Sequence, residues 1–304
     1  MAPSLVDCLE NVGSQLFTFL GGSSLDCLST VLASHAPAYA LLLDESLWSH
    51  LYHEQFGEAI PGSLSPHHAF LHMSCHREWF FEHVHVVQGD LESAVATAAE
   101  TPSAAALIFP TTPTLLHPHS TSAAGAVHKL GGTALRLEIE RERQAIYSSR
   151  GFPPPGSAIH TTGGQLSRWF PHLMHCIGPS SNRTVDEKLD IIERTYLSAL
   201  TQLMALHVRR ATIIPIGTGI ALCPVALTAD VTMQSLWDHA LHHLDCNKRV
   251  DGGRFPLDDV VVLCRDAYVL DAFRWAKQGM LEDPAESESD DDMSVGDDEG
   301  GMDI

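Results

Sequence analysis

The stretch ATIIPIGTGIALCP, residues 211–224, runs from a short apolar segment through Gly217-Thr218-Gly219 to a second apolar step that ends in proline. Two glycines around a threonine let successive backbone N–H groups face one way, an arrangement that holds a phosphate without a charged side chain. A mononucleotide loop would continue into Lys and Ser or Thr, whereas Ile220 and Ala221 follow here. The third glycine of a dinucleotide fingerprint is missing too. By itself the stretch is a strand-to-helix turn, and its meaning depends on what lies before and after it.

Several features of the chain restrict the function classes. Its 304 residues are 44% hydrophobic with a mean hydropathy near zero, the composition of a water-soluble chain with room for about two domains. No apolar run approaches a membrane-spanning length and the first residues do not read as a secretory signal, so the expected location is cytoplasmic or nuclear, with no membrane partner. The seven cysteines are scattered without a Cys-x-x-Cys pair, which fits free thiols in a reducing compartment better than a disulfide framework or a zinc ribbon. A net charge of −20 argues against general nucleic-acid binding, which needs clustered Lys and Arg. Eleven of the acids fall between 281 and 304 with no base among them, and this segment is expected to be a disordered acidic tail.

Strand and helix signals alternate through the middle of the chain. Val84, Val86 and Val87 lead to Gly89-Asp90 and an alanine-rich helix. AAALIFPTTPTLL (104–116) gives a buried strand and a Pro/Thr loop, and AAGAVHKLGG opens a helix at Ala123. Such alternation implies a mostly parallel sheet with helices on its faces and ligands at the C-terminal strand ends, where the 217–219 turn lies. GFPPPGS (151–157) reads as a stiff connecting turn. Histidines offer no clear chemistry: His117, His119 and His128 are spread around one loop and helix start. His68, His72 and His76 share a helical face from which Cys75 points away by about 100°. That stripe reads as solvated, and no metal site is expected.

At the N-terminus, leucines recur at three- and four-residue spacing and end in LWSHL (47–51). The elements LFTFL (16–20), Leu25 with Leu28, and Leu47-Trp48 resemble an F-box. The resemblance implies a three-helix module over 5–57 that contacts a Skp-type adaptor of a cullin ubiquitin ligase through Leu16, Phe17, Phe19, Leu20, Leu25, Leu28, Leu47 and Trp48. A linker would follow over 58–82.

Residues 83–280 resemble a macro domain. The similarity is carried, in order, by VVQGDL (86–91), GAVH (125–128), LMHCIGP (173–179), GTGIALCP (217–224) and VVVLCRDAYVLDAFRWA (260–276). It implies an α/β domain with a mostly parallel mixed sheet between helices, so that the whole chain is α+β, and a cleft for ADP-ribose. Carried over by position, Asp90 accepts the adenine amino group, the backbone around Gly217, Thr218, Gly219 and Ile220 cradles the diphosphate, and Thr112, Gly125 and Val127 complete the ligand-contacting set. Thr112 stands where the family has an asparagine facing the distal ribose, Ala124 where its hydrolytic members carry an acid, and Ala221 where an aromatic stacks. The expected function is therefore substrate recognition without catalysis: an adaptor whose macro-like domain reads ADP-ribose or an ADP-ribosylated protein, with no cofactor. An ADP-ribosyl hydrolase with an unusual residue set, or a macro fold kept as a protein-interaction scaffold, are the alternatives.

Overall fold

The computed structural model describes residues 44–57, 59–62, 64–98, 105–115, 118–243 and 257–281. These fall into two compact units that divide between Ser74 and Cys75. Leu16, Phe17, Phe19, Leu20, Leu25 and Leu28, as well as the acidic segment beyond 281, lie outside the described residues.

In the first unit, α1 (Glu45–Phe56) starts at Asp44, whose carboxylate accepts the amides of Ser46 and Leu47, and stops at Gly57 in the left-handed region. Trp48 does not present a free face. Its indole is buried against His67 and Phe70 at the start of α2 (Pro66–His83), with ring centroids 4.5 and 5.4 Å away. Leu47 is half-buried. The segment read as a linker, 58–82, thus includes most of an 18-residue helix that runs on to His83.

Three corrections follow along α2 and beyond it. The His68, His72, His76 face is not uniformly solvated: His76 is fully buried, its Nε2–H donating to the Trp237 carbonyl at 2.9 Å with the two rings edge to face. GFPPPGS does connect, but it leads straight into a strand that the sequence did not announce, β3 (Ala158–Thr162). Val127, assigned above to ligand contact, has its side chain wholly in the core.

The second unit is built on a six-stranded sheet in the order β1-β6-β5-β2-β4-β3. Its strands are β1 (Val84–Gln88), β2 (Ala105–Thr111), β3, β4 (His172–Ile177), β5 (Arg210–Ile213) and β6 (Asp259–Cys264). All neighbours run parallel except β3, which pairs antiparallel with β4. Helices α3 (Leu91–Ala98), α4 (Ala123–Arg150), α5 (Val185–Ala205), α6 (Val225–His243) and α7 (Ala267–Gly279) complete the unit. The central strands read as unbroken apolar runs because both faces are covered. Leu107, Phe109, Leu173 and Ile177 pack with Val127, Leu135 and Ile139 of α4 on one face. The intervening Ala106, Ile108, Met174 and Cys176 are buried as well.

α4 is long for its composition, and a glycine explains how it fits. It bends at Gly132 (φ 65°), where an added Cβ would lie 2.5 Å from the Gln165 side chain, and a Cβ at Gly164 (φ 55°) would lie 2.7 Å from the Gly131 carbonyl. Two Gly-Gly pairs, 131–132 and 163–164, therefore let α4 and the short 3-10 turn Gly164–Arg168 approach backbone to backbone.

One buried titratable group makes the sheet acid-sensitive. His175 on β4 is fully buried, its Nε2 2.8 Å from the Thr161 hydroxyl and its ring edge-on to Phe109. Burial holds this imidazole down to about 3, with His128 and His160 acting in the same direction. A depressed value means the native state stays neutral while the unfolded chain takes up a proton below about pH 6.5, so stability is lost as pH falls through that window. The wild-type protein should lose about 2 kcal/mol more than His175→Phe between pH 7 and pH 5, measured by urea unfolding.

Candidate binding site

Four chain segments converge at the C-terminal edge of the sheet: the ends of β1, β2, β4 and β5. Parallel strands place these ends on one rim, where the following turns are free to carry polar groups. The turn after β5 is the most unusual. Its backbone is fixed from α5, because Tyr196 Oη accepts the Ile216 amide at 3.2 Å and Ile192 packs beneath Gly217. A Cβ at Gly217 (φ 99°) would stand 2.6 Å from Ile192 Cδ1 and 3.2 Å from Cys223 Sγ. The turn closes with the Cys223 amide donating to the Gly217 carbonyl and the Leu222 amide to the Gly219 carbonyl.

Among the described residues, the amides of Gly217, Thr218, Gly219, Ile220 and Ala221 donate to nothing. Gly217 is buried, Thr218 and Ala221 are half-buried and Gly219 and Ile220 are exposed, and a consecutive row of amides without protein acceptors is a donor set that can accommodate an anion. Gly219 is exposed, outside the left-handed region, and a Cβ there would meet nothing within 4 Å. Neither packing nor backbone strain asks for glycine at this position. Ile220 and Leu222 beside it are both about three-quarters exposed, and Leu222 adopts φ 52°, which a branched side chain rarely tolerates.

Asp90 sits at the end of β1 and is exposed. Its carboxylate accepts the Ser93 amide at 2.8 Å and the Ser93 hydroxyl at 2.7 Å, while Ser93 Oγ accepts the Asp90 amide. This is a reciprocal cap at the start of α3. The Ser93 hydroxyl, then its amide, hold the Asp90 carboxyl below its usual range, so it is an anionic acceptor. Gly89 joins it to the sheet, its amide donating to the Cys264 carbonyl at 3.0 Å.

The β2 side is arranged differently. Thr112 is exposed, its hydroxyl 2.9 Å from that of Thr114, and its carbonyl accepts the Leu115 amide. Leu115, at φ 58°, turns into the core. The 119–122 turn then folds over the start of α4, where Ser122 caps the helix by accepting the Gly125 amide at 3.1 Å. A Cβ on Gly125 would lie 2.2 Å from the His119 carbonyl oxygen. That close approach is occupied by the protein's own loop, which presents carbonyls in place of amides. Ala124 is buried beside Val127 in the same core cluster. His119 is exposed, with Nδ1 2.8 Å from the Thr121 hydroxyl, and His128 is buried, while His117 lies outside the described residues.

Sequence reasoning found the 217–220 turn and Asp90 by motif. It missed the role of α5, whose Ile192 and Tyr196 hold the turn from below. Their spacing of four on an apolar helix face is an ordinary core signal and carries no mark of what they support. No group of three or more His, Cys, Asp or Glu side chains suited to a metal occurs among the described residues. No described helix is long and apolar enough to cross a membrane. Two grooves are apparent elsewhere in this unit, one of about 690 Å³ between α6 and α7 and one of about 350 Å³ along the outer edge of β1. Neither is lined by a residue of the 217–223 turn.

Comparison with known proteins places this geometry in context. The chain is 30% identical over 112 residues to a macro domain-containing protein in the gbd 3' region of Cupriavidus necator, which covers 37% of this chain and 61% of that protein. It is 28% identical over 120 residues to an O-acetyl-ADP-ribose deacetylase of Cronobacter sakazakii, covering 39% and 63%. The match thus spans about three-fifths of the length of these curated relatives. Among solved structures, a glycine-to-valine mutant of the Oceanobacillus iheyensis macrodomain with ADPR aligns with a TM-score of 0.49 at 20% identity, over 65% of this chain and 91% of that one. A Trypanosoma brucei macrodomain in complex with ADP-ribose aligns with a TM-score of 0.48 at 16% identity, over 64% and 69%. From the end of β2 into α6, residues 110–232 of this chain match the family model described as Macro domain.

Proposed function

We propose that the C-terminal rim of the sheet, at the turn after β5, binds ADP-ribose, free or carried on a protein, and that it does so without hydrolysing it. The observation that carries this reading is the row of five amides without protein acceptors centred on Gly219, which is exposed and has open space where its side chain would stand. Backbone donors converging on phosphate oxygens make charge-assisted hydrogen bonds without an exposed cation, so an acidic protein can hold a diphosphate. Asp90, anionic and exposed, supplies an acceptor for an adenine amino group at the end of β1. Binding is favoured over hydrolysis by the residues at the two water-handling positions, the Thr112 hydroxyl facing Thr114 and the methyl of buried Ala124. Neither is a base for a water.

Calorimetry with ADP-ribose tests the reading. Saturable binding of wild-type protein, with no ADP-ribose released from a modified protein under the same conditions, is the expected result. Absence of heat at millimolar ligand would reduce the turn to an inherited connection and leave the scaffold role as the better account.

The wider proposal, that the chain presents such ligands to a cullin-type ubiquitin ligase through a Skp-type adaptor, is supported by the spacing of Leu16, Phe17, Phe19, Leu20, Leu25, Leu28 and Leu47 in the sequence. Leu20→Asp should abolish co-purification of the adaptor with the full chain. Retention of the adaptor by residues 60–304 alone would discard this part of the proposal.

A further inference from the structure

Lys188 is not accounted for by any interaction that stabilises the fold. It is the fourth residue of α5, where the helix dipole favours acids and disfavours a cation. It is only 6% exposed, yet its ammonium has no hydrogen-bond or ion-pair partner among the described residues. The nearby Glu187 carboxylate is engaged by the Thr184 amide and hydroxyl and by Arg183. Its Nζ is not among the buried side-chain atoms that lack a partner, so the tip of this buried stem meets solvent, where it can take up a negative charge that the protein does not itself supply.

The position of Lys188 says where that charge would sit. Lys188, Ile192 and Tyr196 recur at intervals of four and so share one stripe of α5. Tyr196 bonds the Ile216 amide and Ile192 lies beneath Gly217, so the stripe runs along the turn after β5. Lys188 is its last member toward the N-terminus of the helix, which is the end nearest the C-terminal rim of the sheet. Cys223, which closes the turn, is close enough to Lys188 for the ammonium to oppose the rise that burial imposes on its thiol. At the end of β4 a Cβ on Gly178 would meet Ile216 at 3.1 Å, so the loop leading to α5 borders the same turn.

We infer that Lys188 and the amides of residues 217–221 form one anion site, in which the lysine supplies the full positive charge and the turn supplies the directed donors. The ligand class is a diphosphate. For ADP-ribose this rests on the function proposed above, but the site itself makes a demand that does not depend on the rest of the nucleotide.

The test uses the full chain and inorganic pyrophosphate as probe, with thermal unfolding and calorimetry as readouts. Wild-type protein and Lys188→Arg should be stabilised by millimolar pyrophosphate, and Lys188→Met, which keeps the stem volume, should lose at least about tenfold in affinity. The salt dependence of binding should also become shallower in Lys188→Met. Lys188→Met should melt close to wild type without ligand, because it keeps the buried stem and breaks no bond of the ammonium within the protein. Equal pyrophosphate binding by wild type and Lys188→Met, or none by wild type, overturns the inference. Pyrophosphate binding that depends on Lys188 while ADP-ribose fails to bind would sustain it and remove the ADP-ribose reading.

Discussion

Gly219→Glu should abolish ADP-ribose binding, by at least about 3 kcal/mol or more than a hundredfold, while leaving the melting temperature close to that of wild type. The open space above Gly219 admits a side chain at no cost to the protein, and the same space is where a diphosphate would approach the amides. A carboxylate there blocks that approach and repels the ligand's charge. Gly219→Ala separates the two effects, since a methyl obstructs without charge and should weaken binding less. Asp90→Ala is the companion variant: loss of one charge-assisted hydrogen bond to adenine should weaken affinity at least about fivefold. It also removes the cap on α3, which should lower the melting temperature. Calorimetry for the ligand and calorimetric melting for the fold report the two consequences independently. If Gly219→Glu binds ADP-ribose as wild type does, the ligand does not lie over this turn.

Gly217→Ala should behave in the opposite way, destabilising the protein by about 2–4 kcal/mol before any ligand is considered. Two costs add. The backbone at φ 99° is one that a Cβ resists, and the new methyl would stand 2.6 Å from Ile192 Cδ1, a clash that a packed helix face relieves only by shifting. Urea unfolding of Gly217→Ala beside Gly219→Ala measures the contrast, with the second variant expected within about 0.5 kcal/mol of wild type. Equal effects at the two glycines would mean that the turn is not anchored on α5 in the way the packing of Ile192 indicates. The two glycines of one motif thus have separate reasons to exist: Gly217 lets the turn lie down on the core, and Gly219 keeps its outer surface bare.

The sequence by itself determined the kind of sheet. Unbroken apolar runs such as ALIF (106–109) and VVVLC (260–264), each followed by polar turn residues and then a helical period, can only be central strands covered on both faces, and alternation with helices makes them parallel. It also located the turn at 217–219 by its glycines and Asp90 by the resemblance of VVQGDL, while the cap that Asp90 makes on α3 emerged only from the structure. β3 was not legible. AIHTT (158–162) is half-buried at the edge of the sheet and earns its strand geometry from pairing with β4, a partner ten residues on. Burial of polar side chains was equally out of reach. His76, His175 and Lys188 look in the sequence like any solvated residue, and their places depend on which helix or strand closes over them. Trp48 shows the same limit, as an exposed contact and a core ring share one spacing until α2 is in place. Only the tertiary structure decided that Gly125 is used by the protein's own loop, that Gly219 is not used by the protein at all, and that α5 brings an unpaired cation beside the turn. Motifs record backbone conformation within a few residues, whereas a site is made where segments remote in sequence meet.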